Sequence, residues 1–370
     1  MSNFKETVLE INLAHLSHNF KYLKSKLHPE VKFLSVVKAS GYGSDVVPLA
    51  KHLEKLGTDY FAVAYVSEGI VLRNAGITTP ILVLHPQPVN FAACIEYRLE
   101  PNIYSKRILE CFTEAAHSHN VQEYPIHIKF NTGLNRLGFI ADDIAYIVQQ
   151  LNTHKVLSVQ SILSHLAASE DHKERDFTRQ QIEVFKKITA TFSATLGYTP
   201  IVHQCNTSGI LNYPDAHFSM VRSGIGLYGY GNDTTYDVNL KPVATLKSVI
   251  SQIHELAPGE TLGYNRAFKA TKKTITATIP IGHADGISRQ YGMRKGFVLV
   301  HGKRAYITGN VCMDMLMIDI TDIPCKEGDE VIFFDAHTGA NNMAEHAGTI
   351  SYELLTAIAP RVKRKVIDEI

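Results

Sequence analysis

The alternation between residues 32 and 223 limits the folds open to this chain more than any other feature. Eight short apolar runs, at 32–38, 60–65, 81–85, 100–104, 125–130, 156–165, 201–206 and 218–223, read as strands. Helical spacing of apolar residues lies between most of them, as at Val46 to Leu56, Ser67 to Ala75, Asp142 to Leu151 and Glu174 to Leu196. Each of these four patterns is followed within a few residues by the next strand. A strand covered by helices on its outer face and packed on its inner one reads as a continuous apolar run, and regular β–α alternation predicts a parallel sheet. Eight units in this span fit a closed, TIM-type (β/α)8 barrel, which needs about 200 residues or more. A doubly wound open sheet is the alternative. A helical lead-in, Leu13 to Leu27, precedes the first unit.

After Gly231-Asn-Asp-Thr-Thr-Tyr236 the texture changes. β-Branched runs at 243–254, 273–281, 296–301, 304–309, 315–320 and 329–334 are separated by Gly, Pro and Asp turns, which predicts a mainly-β region. One helix, Ala344 to Ile358, is expected to close it before Pro360 and a basic tail, Arg361 to Lys365. At 370 residues the chain exceeds what a single core usually supports. The expected division is an α/β barrel over 1–235 and a C-terminal β domain over 236–370.

Bulk charge narrows the partners. Lys plus Arg (37) nearly balances Asp plus Glu (36), and no basic run is dense enough to track a phosphate backbone, so nucleic acid is not an expected partner. Cys94, Cys111, Cys205, Cys312 and Cys325 are odd in number and lack CxxC or CxxH spacing, which argues for a reducing compartment and against structural zinc. The first residues lack a basic segment followed by an apolar one, and no window approaches 18 uncharged apolar residues. These features predict a soluble, unprocessed, cytoplasmic protein with no membrane partner.

The chemistry is expected where a barrel carries it, on the loops after its strands. The first run, Phe33-Leu-Ser-Val-Val-Lys38, ends in an amine followed by Gly41-Tyr42-Gly43. Lysine is seldom buried without a task, and its commonest covalent one is a Schiff base with a carbonyl compound such as pyridoxal phosphate; an exposed strand-end lysine is the plainer alternative. Other polar residues at strand ends are His85, Tyr104, Lys129 with Arg136, His165, Asn206 with Ser208, and Arg222. A lone histidine such as His85 or His203 reads better as a satisfied core or rim residue. Thr207-Ser208-Gly209 and Arg222-Ser-Gly224-Ile225-Gly226 follow the last two strands, where barrels often hold phosphate on backbone N–H groups. In a closed barrel those loops adjoin the strand-one lysine.

Six motifs, in order and spread over both parts of the chain, resemble the alanine racemases. They are Val36-Val-Lys38-Ala-Ser-Gly-Tyr42-Gly, Lys129-Phe-Asn-Thr-Gly133-Leu-Asn-Arg136-Leu-Gly, Arg222-Ser-Gly224-Ile-Gly-Leu-Tyr-Gly, Leu262-Gly-Tyr264, Ile281-Gly-His-Ala-Asp285-Gly and Cys312-Met313-Asp314. The resemblance implies a pyridoxal-phosphate-dependent isomerase that interconverts L- and D-alanine and works as a homodimer with shared active sites, supplying D-alanine for peptidoglycan. By the same resemblance Lys38 holds the cofactor, and Tyr42, Ser208 and the backbone of Gly224 and Ile225 hold its phosphate. Arg222 is expected at the pyridine nitrogen. An aspartate there would keep the ring nitrogen protonated and the ring a deep electron sink, whereas an arginine cannot accept that proton, so the ring is a shallower sink with fewer side reactions.

Racemisation needs a base on each face of the α-carbon. The resemblance makes Lys38 one of them and Tyr264 of the partner subunit the other, with His165 and Arg222 in a hydrogen-bonded chain serving the tyrosine. Arg136 is expected to bind the cofactor's phenolic oxygen and the substrate carboxylate. Lys129 matches a position that carries a carbamate in many members, which would orient that arginine. Met313 is expected near the substrate carboxylate, again across the dimer, with Asp314 supporting its loop. A pocket bounded by Tyr264 and Met313 favours alanine, with discrimination of about 1–3 kcal/mol per methylene. The chain departs from the family pattern at Ala39-Ser40-Gly41, where many members have Ala-Asn-Ala, at His283 in place of tyrosine and at Ser223 in place of a common proline.

Three other readings compete. A broad-specificity racemase or a decarboxylase would keep the fold and change the reaction. A non-catalytic vitamin B6 carrier would not need Tyr264 or Met313. A metal-dependent hydrolase could use carbamylated Lys129 with His127, His165 and His203, but it usually wants a His-x-His pair ending strand one, where this chain has Lys38.

Overall fold

The computed structural model describes residues 6–231 and 233–368. Eight parallel strands form one sheet: β2 (Lys32–Val36), β3 (Tyr60–Val63), β4 (Ile81–Val83), β5 (Glu100–Ile103), β6 (Tyr124–Lys129), β7 (Leu157–Leu163), β8 (Ile201–His203) and β9 (Met220–Ser223), numbered after an earlier strand, β1 (Val8–Asn12). Neighbours in sequence are neighbours in the sheet from β2 to β8, and β9 pairs with β2. The last gap closes through Ser219 N–H to Val202 O (3.2 Å) and Arg222 N–H to Cys205 O (3.1 Å). The sheet is therefore the closed barrel expected, not the open one.

Local sequence explains the alternation. All of Tyr-Phe-Ala-Val in β3 and Ile-Leu-Val in β4 is buried, as strands walled by helices outside and by each other inside require. The helix Lys106–Ser118 starts where Ser105 Oγ accepts from Ile108 N–H, and it buries Ile108, Leu109, Phe112, Thr113 and Ala116 on one face. The helix Arg175–Leu196 buries Ile182, Phe185, Ile188 and Phe192, and ends at Gly197 in the left-handed conformation. Truncating a fully buried side chain such as Phe185 to alanine would cost about 3–5 kcal/mol.

The C-terminal half is mainly sheet. It contains β10 (Ala244–Val249), β11 (Gln252–Leu256), β12 (Thr261–Leu262), β13 (Phe268–Lys269), β14 (Thr274–Ile279), β15 (Phe297–Val300), β16 (Lys303–Tyr306), β17 (Leu316–Asp319), β18 (Glu330–Phe334) and β19 (Lys363–Ile367). A six-stranded sheet runs β16-β15-β18-β10-β1-β19, and a three-stranded one runs β11-β14-β17.

Local details differ from expectation. β1 lies at the amino end of the chain, yet it pairs antiparallel with β10 and parallel with β19 in the C-terminal sheet. Its alternation is short: Leu9 and Ile11 are buried, whereas Glu10 points out to Lys247 and Lys365, each 3.0 Å away. The basic tail is thus the opening of β19, its charge met by a carboxylate 355 residues earlier. The run at 243–254 is two strands in different sheets, and the expected helix Ala344 to Ile358 is two helices, Ala340–His346 and Ser351–Ala357. Gly348, at φ 70°, separates them. Among the described residues no helix is long and apolar enough to cross a membrane.

The C-terminal half also reaches over the barrel mouth. Arg364 donates through Nε and Nη2 to Gly43 O at 3.0 and 2.9 Å, and the Tyr352 ring lies 6.1 Å from that of Tyr42. Gly43 has φ 80°, and a Cβ there would run into the Leu355 carbonyl, so the barrel can be capped this closely only at a glycine.

Candidate active site

Strand β2 stops at Val36, two residues before the lysine that the sequence placed at its end. Lys38 opens a turn in which Ala39, Ser40, Gly41 and Tyr42 all adopt left-handed backbone, with φ 53°, 53°, 66° and 53°. Side chains other than glycine disfavour that region by about 1–2 kcal/mol each, so the turn depends on its surroundings. Glu68 supplies part of them: Oε1 accepts from Ala39 N–H (2.6 Å) and Oε2 from Ala64 N–H (2.7 Å). The turn directs both Lys38 and Tyr42 into a cavity of about 500 Å³ at the barrel mouth.

That one cavity collects nine of the twelve singled-out side chains or backbone positions: Lys38, Tyr42, Lys129, Arg136, His165, Ser208, Arg222, Gly224 and Ile225. Among the described residues the lining carries four Lys or Arg side chains and no carboxylate, a donor set that calls for an anionic occupant. Burial, followed by Arg136, lowers the Lys38 amine below its usual range, while Glu68 opposes the shift. Lys129 is pulled down to about 7, first by burial and then by Arg222 and Arg136. Burial alone carries Arg222 down to about 10. It also holds the Tyr42 hydroxyl well above its usual range, so that group is a neutral donor.

The floor of the cavity is Arg222, bracketed by two imidazoles. Its Nη1 donates to His203 Nδ1 at 2.8 Å and its Nη2 to His165 Nδ1 at 2.9 Å, with further bonds to Ser164 O and Gln204 O. Both histidines lie well below their usual range, mainly by burial and next by Arg222, and are neutral. The Arg222 Nε–H has no partner among the described residues, so it is the donor left for an occupant. On the adjoining wall the N–H groups of Gly224 and Ile225 have no backbone partner among the described residues. Gly224 packs so closely on the Tyr42 hydroxyl that a Cβ would collide with it. Ser223, the departure from proline, is buried with its hydroxyl 3.0 Å from that of Thr207.

Tyr264, Met313 and Asp314 are elsewhere. Tyr264 sits on the tight hairpin between β12 and β13, 75% exposed, and Met313 is 59% exposed. One edge carries both: Asn310 Nδ2 donates to Tyr264 O (3.1 Å), and the loop of Met313 is backed by the 282–286 turn through Ala284 N–H to Met313 O (3.0 Å). Gly282 in that turn has no room for a Cβ against the Cys312 and Met313 carbonyls. Asp314 accepts from Arg361 at 2.8 Å, and Arg361 also grips Asp285. His283 is exposed, holding the Cys312 carbonyl only through its backbone N–H (2.9 Å).

The two halves match one family throughout. A family model described as alanine racemase, N-terminal domain, covers residues 11–232, and one described as alanine racemase, C-terminal domain, covers 243–366. The chain belongs to the alanine racemase family. Among curated alanine racemases, that of Thermodesulfovibrio yellowstonii is 37% identical over 100% of this chain and 99% of its own. The alanine racemase of Clostridium difficile superposes with a TM-score of 0.92 at 33% identity, covering 98% of this chain and 96% of that one. An alanine racemase from Bartonella henselae, solved with covalently bound pyridoxal phosphate, superposes with a TM-score of 0.89 at 27% identity over 98% and 99%. The family's members are isomerases, and this chain is one of them.

Sequence reading missed several residues that line the family's cavity here, among them Tyr65, Asn102 and Tyr352. Asn102 lies inside β5 and Tyr352 in the second helix of the C-terminal half. Neither carries a local signal, because only barrel closure and capping bring them to the mouth. Among the described residues no group of three His, Cys, Asp or Glu side chains is placed to hold a metal ion.

Proposed function

We propose that this chain racemises alanine with pyridoxal phosphate by a two-base mechanism, as a homodimer in which each site takes Tyr264 and Met313 from the partner subunit. The observation that carries the reading is the cavity itself: a lysine amine lowered by burial, an unpartnered Arg222 Nε–H, and no carboxylate in the lining. Pyridoxal phosphate fits that donor set. Lys38 would hold it covalently, the Tyr42 and Ser208 hydroxyls and the Gly224 and Ile225 N–H groups would take its phosphate, and Arg222 Nε–H would face its ring nitrogen. When bound, the group withdraws electrons from the substrate's α-carbon and so weakens the bond to its proton.

The residues of the chain do the rest. Lys38 Nζ, neutral more easily for being half-buried, takes or returns the proton on one face. Tyr264 Oη of the partner subunit serves the other face; its exposure in one subunit supports this reading, since a base on an exposed hairpin needs a second surface to exclude water. His165, neutral with its proton on Nε2, links that hydroxyl to Arg222. Arg136 orients the substrate carboxylate, and Met313 of the partner subunit limits the side chain beside it. Lys129, with an amine near neutrality and two guanidinium neighbours, is suited to add carbon dioxide as a carbamate, releasing one proton and placing an anion beside Arg136. Supply of D-alanine to peptidoglycan in the cytoplasm is the biological role proposed.

The test is incubation of purified protein with L-alanine in deuterium oxide. Loss of optical rotation with one deuterium entering at Cα, and a pyridoxyl group fixed on Lys38 by borohydride, are the expected results. Release of carbon dioxide would indicate a decarboxylase, and a colourless protein that borohydride leaves unmodified would remove the reading.

A further inference from the structure

A hydrogen-bonded line runs from the cavity floor down the inside of the barrel, and the chemistry above uses only its top. Arg222 Nη1 lies 2.8 Å from His203 Nδ1, and His203 Nε2 lies 2.8 Å from Ser161 Oγ. Ser161 Oγ is 2.5 Å from His127 Nδ1, and His127 Nε2 is 2.7 Å from Glu100 Oε2. The links step across consecutive strands, from β9 through β8, β7 and β6 to β5. His127, Ser161 and His203 are fully buried, and the Glu100 side chain is 13% exposed. Barrel interiors are ordinarily filled with Val, Ile and Leu, which need no such pairing.

One proton arrangement satisfies every link. A guanidinium cannot accept, so His203 Nδ1 must, which leaves that ring's proton on Nε2, donated to Ser161 Oγ. Among the described residues the Ser161 O–H then has only His127 Nδ1 to bond, so His127 carries its proton on Nε2 and donates it to the Glu100 carboxylate. All four bonds donate in the same sense, from arginine to carboxylate, and each polarises the next. A carboxylate touching Arg222 would compete with an occupant for its N–H groups. One placed four links away meets the buried cation and leaves Nε–H free.

We propose that Glu100 is a positioning residue for the cavity floor, acting through His127, Ser161 and His203 to lock the imidazole tautomer against Arg222 and hold the guanidinium with Nε–H presented to the occupant's ring nitrogen. The proposal rests on the reading of Arg222 as the group at that nitrogen. Its value is constancy: moving the His203 proton to Nδ1 would turn an N–H against a guanidinium, so the line admits one tautomer at the floor.

The first test uses the unaltered protein without cofactor. Labelling the histidine rings with nitrogen-15 reports their tautomers, and His127, His203 and His165 should all be neutral with the proton on Nε2. A proton on His203 Nδ1, or a charged His203, overturns the proposal. The second test compares Ser161→Ala, Ser161→Thr and Glu100→Gln. Ser161→Ala should scramble the His203 tautomer and Ser161→Thr, which keeps the hydroxyl, should restore it. Loaded with labelled pyridoxal phosphate, Ser161→Ala and Glu100→Gln should shift the ring-nitrogen resonance and lower kcat about ten-fold with KM little changed. Variants that melt earlier yet keep the His203 tautomer and the ring-nitrogen resonance would make the line merely structural. A protein that binds no pyridoxal phosphate would instead strike the proposed function, leaving the tautomer result to stand or fall alone.

Discussion

The barrel mouth and the β12–β13 edge contribute to one proposed reaction and could hardly be built more differently. At the mouth, each group is held from several sides: Lys38 by a strained turn clamped on Glu68, Arg222 by five acceptors, Tyr42 between Gly224 and the Tyr228 ring, whose centroid is 4.4 Å away. On the edge, Tyr264 follows Gly263 on a hairpin, is three-quarters exposed, and is tied to the next loop by a side-chain bond from Asn310 to its carbonyl. The contrast teaches that one subunit can preorganise the binding of an anionic group by itself. On the dimer reading proposed above, the exposed tyrosine gains its fixed place against the partner subunit.

The largest effect expected is at the mouth. Lys38→Ala removes covalent anchor and base together, and turnover should fall at least about 10⁴-fold, with loss of the visible absorbance that reports bound pyridoxal phosphate. At the edge, Tyr264→Phe should lower racemisation by about 10²–10⁴-fold while that absorbance stays; unchanged turnover would end the two-base reading. Mixing the two inactive variants and allowing subunits to exchange sharpens the comparison further. Half the dimers would then be mixed, each with one site intact, and activity should return to about a quarter of the unmutated level. No recovery would mean that each subunit uses its own tyrosine.

Smaller effects are expected at Lys129. Because its amine is pulled down to about 7, it is neutral above that pH and free to add carbon dioxide, so a carbamate carbon-13 resonance from labelled bicarbonate should be present at pH 8 and absent at pH 6. The stability contribution has a definite sign. An unfolded lysine keeps its proton up to about pH 10.4. The folded one releases it above about 7, so between those values the unfolded state binds more protons and stability rises with pH. Lys129→Gln should flatten that slope and lower turnover roughly ten-fold through a less well oriented Arg136.

Most of the site was legible because its residues lie within short motifs beside glycines. Lys38 and Tyr42 are separated by one turn, and Arg222, Gly224 and Ile225 by a strand end, so local sequence carried them. The residues that escaped are those without a local partner. Glu100 and Ser161 drew no notice, and His127 was weighed only as a ligand in the rival metal reading; with His203 they stand on four separate strands, and nothing in any one run says that their side chains meet inside a barrel. His203, read as a satisfied core histidine, is satisfied, but by the floor of the site itself. β1 escaped for a related reason: five residues of alternation give a weak signal, and its partners lie more than 230 residues away.

By itself the amino-acid sequence determined the alternation that makes a barrel, the change to β-rich texture, and the identity of the groups gathered at the mouth, since those follow from side-chain period and turn chemistry over a few residues. Tertiary structure alone decided the rest: which groups each buried histidine meets, how far burial lowers Lys38 and Lys129, and that Tyr264 stays outside its own subunit's cavity. These are matters of distance and dielectric between groups remote in sequence, and they exist only once the chain has closed on itself.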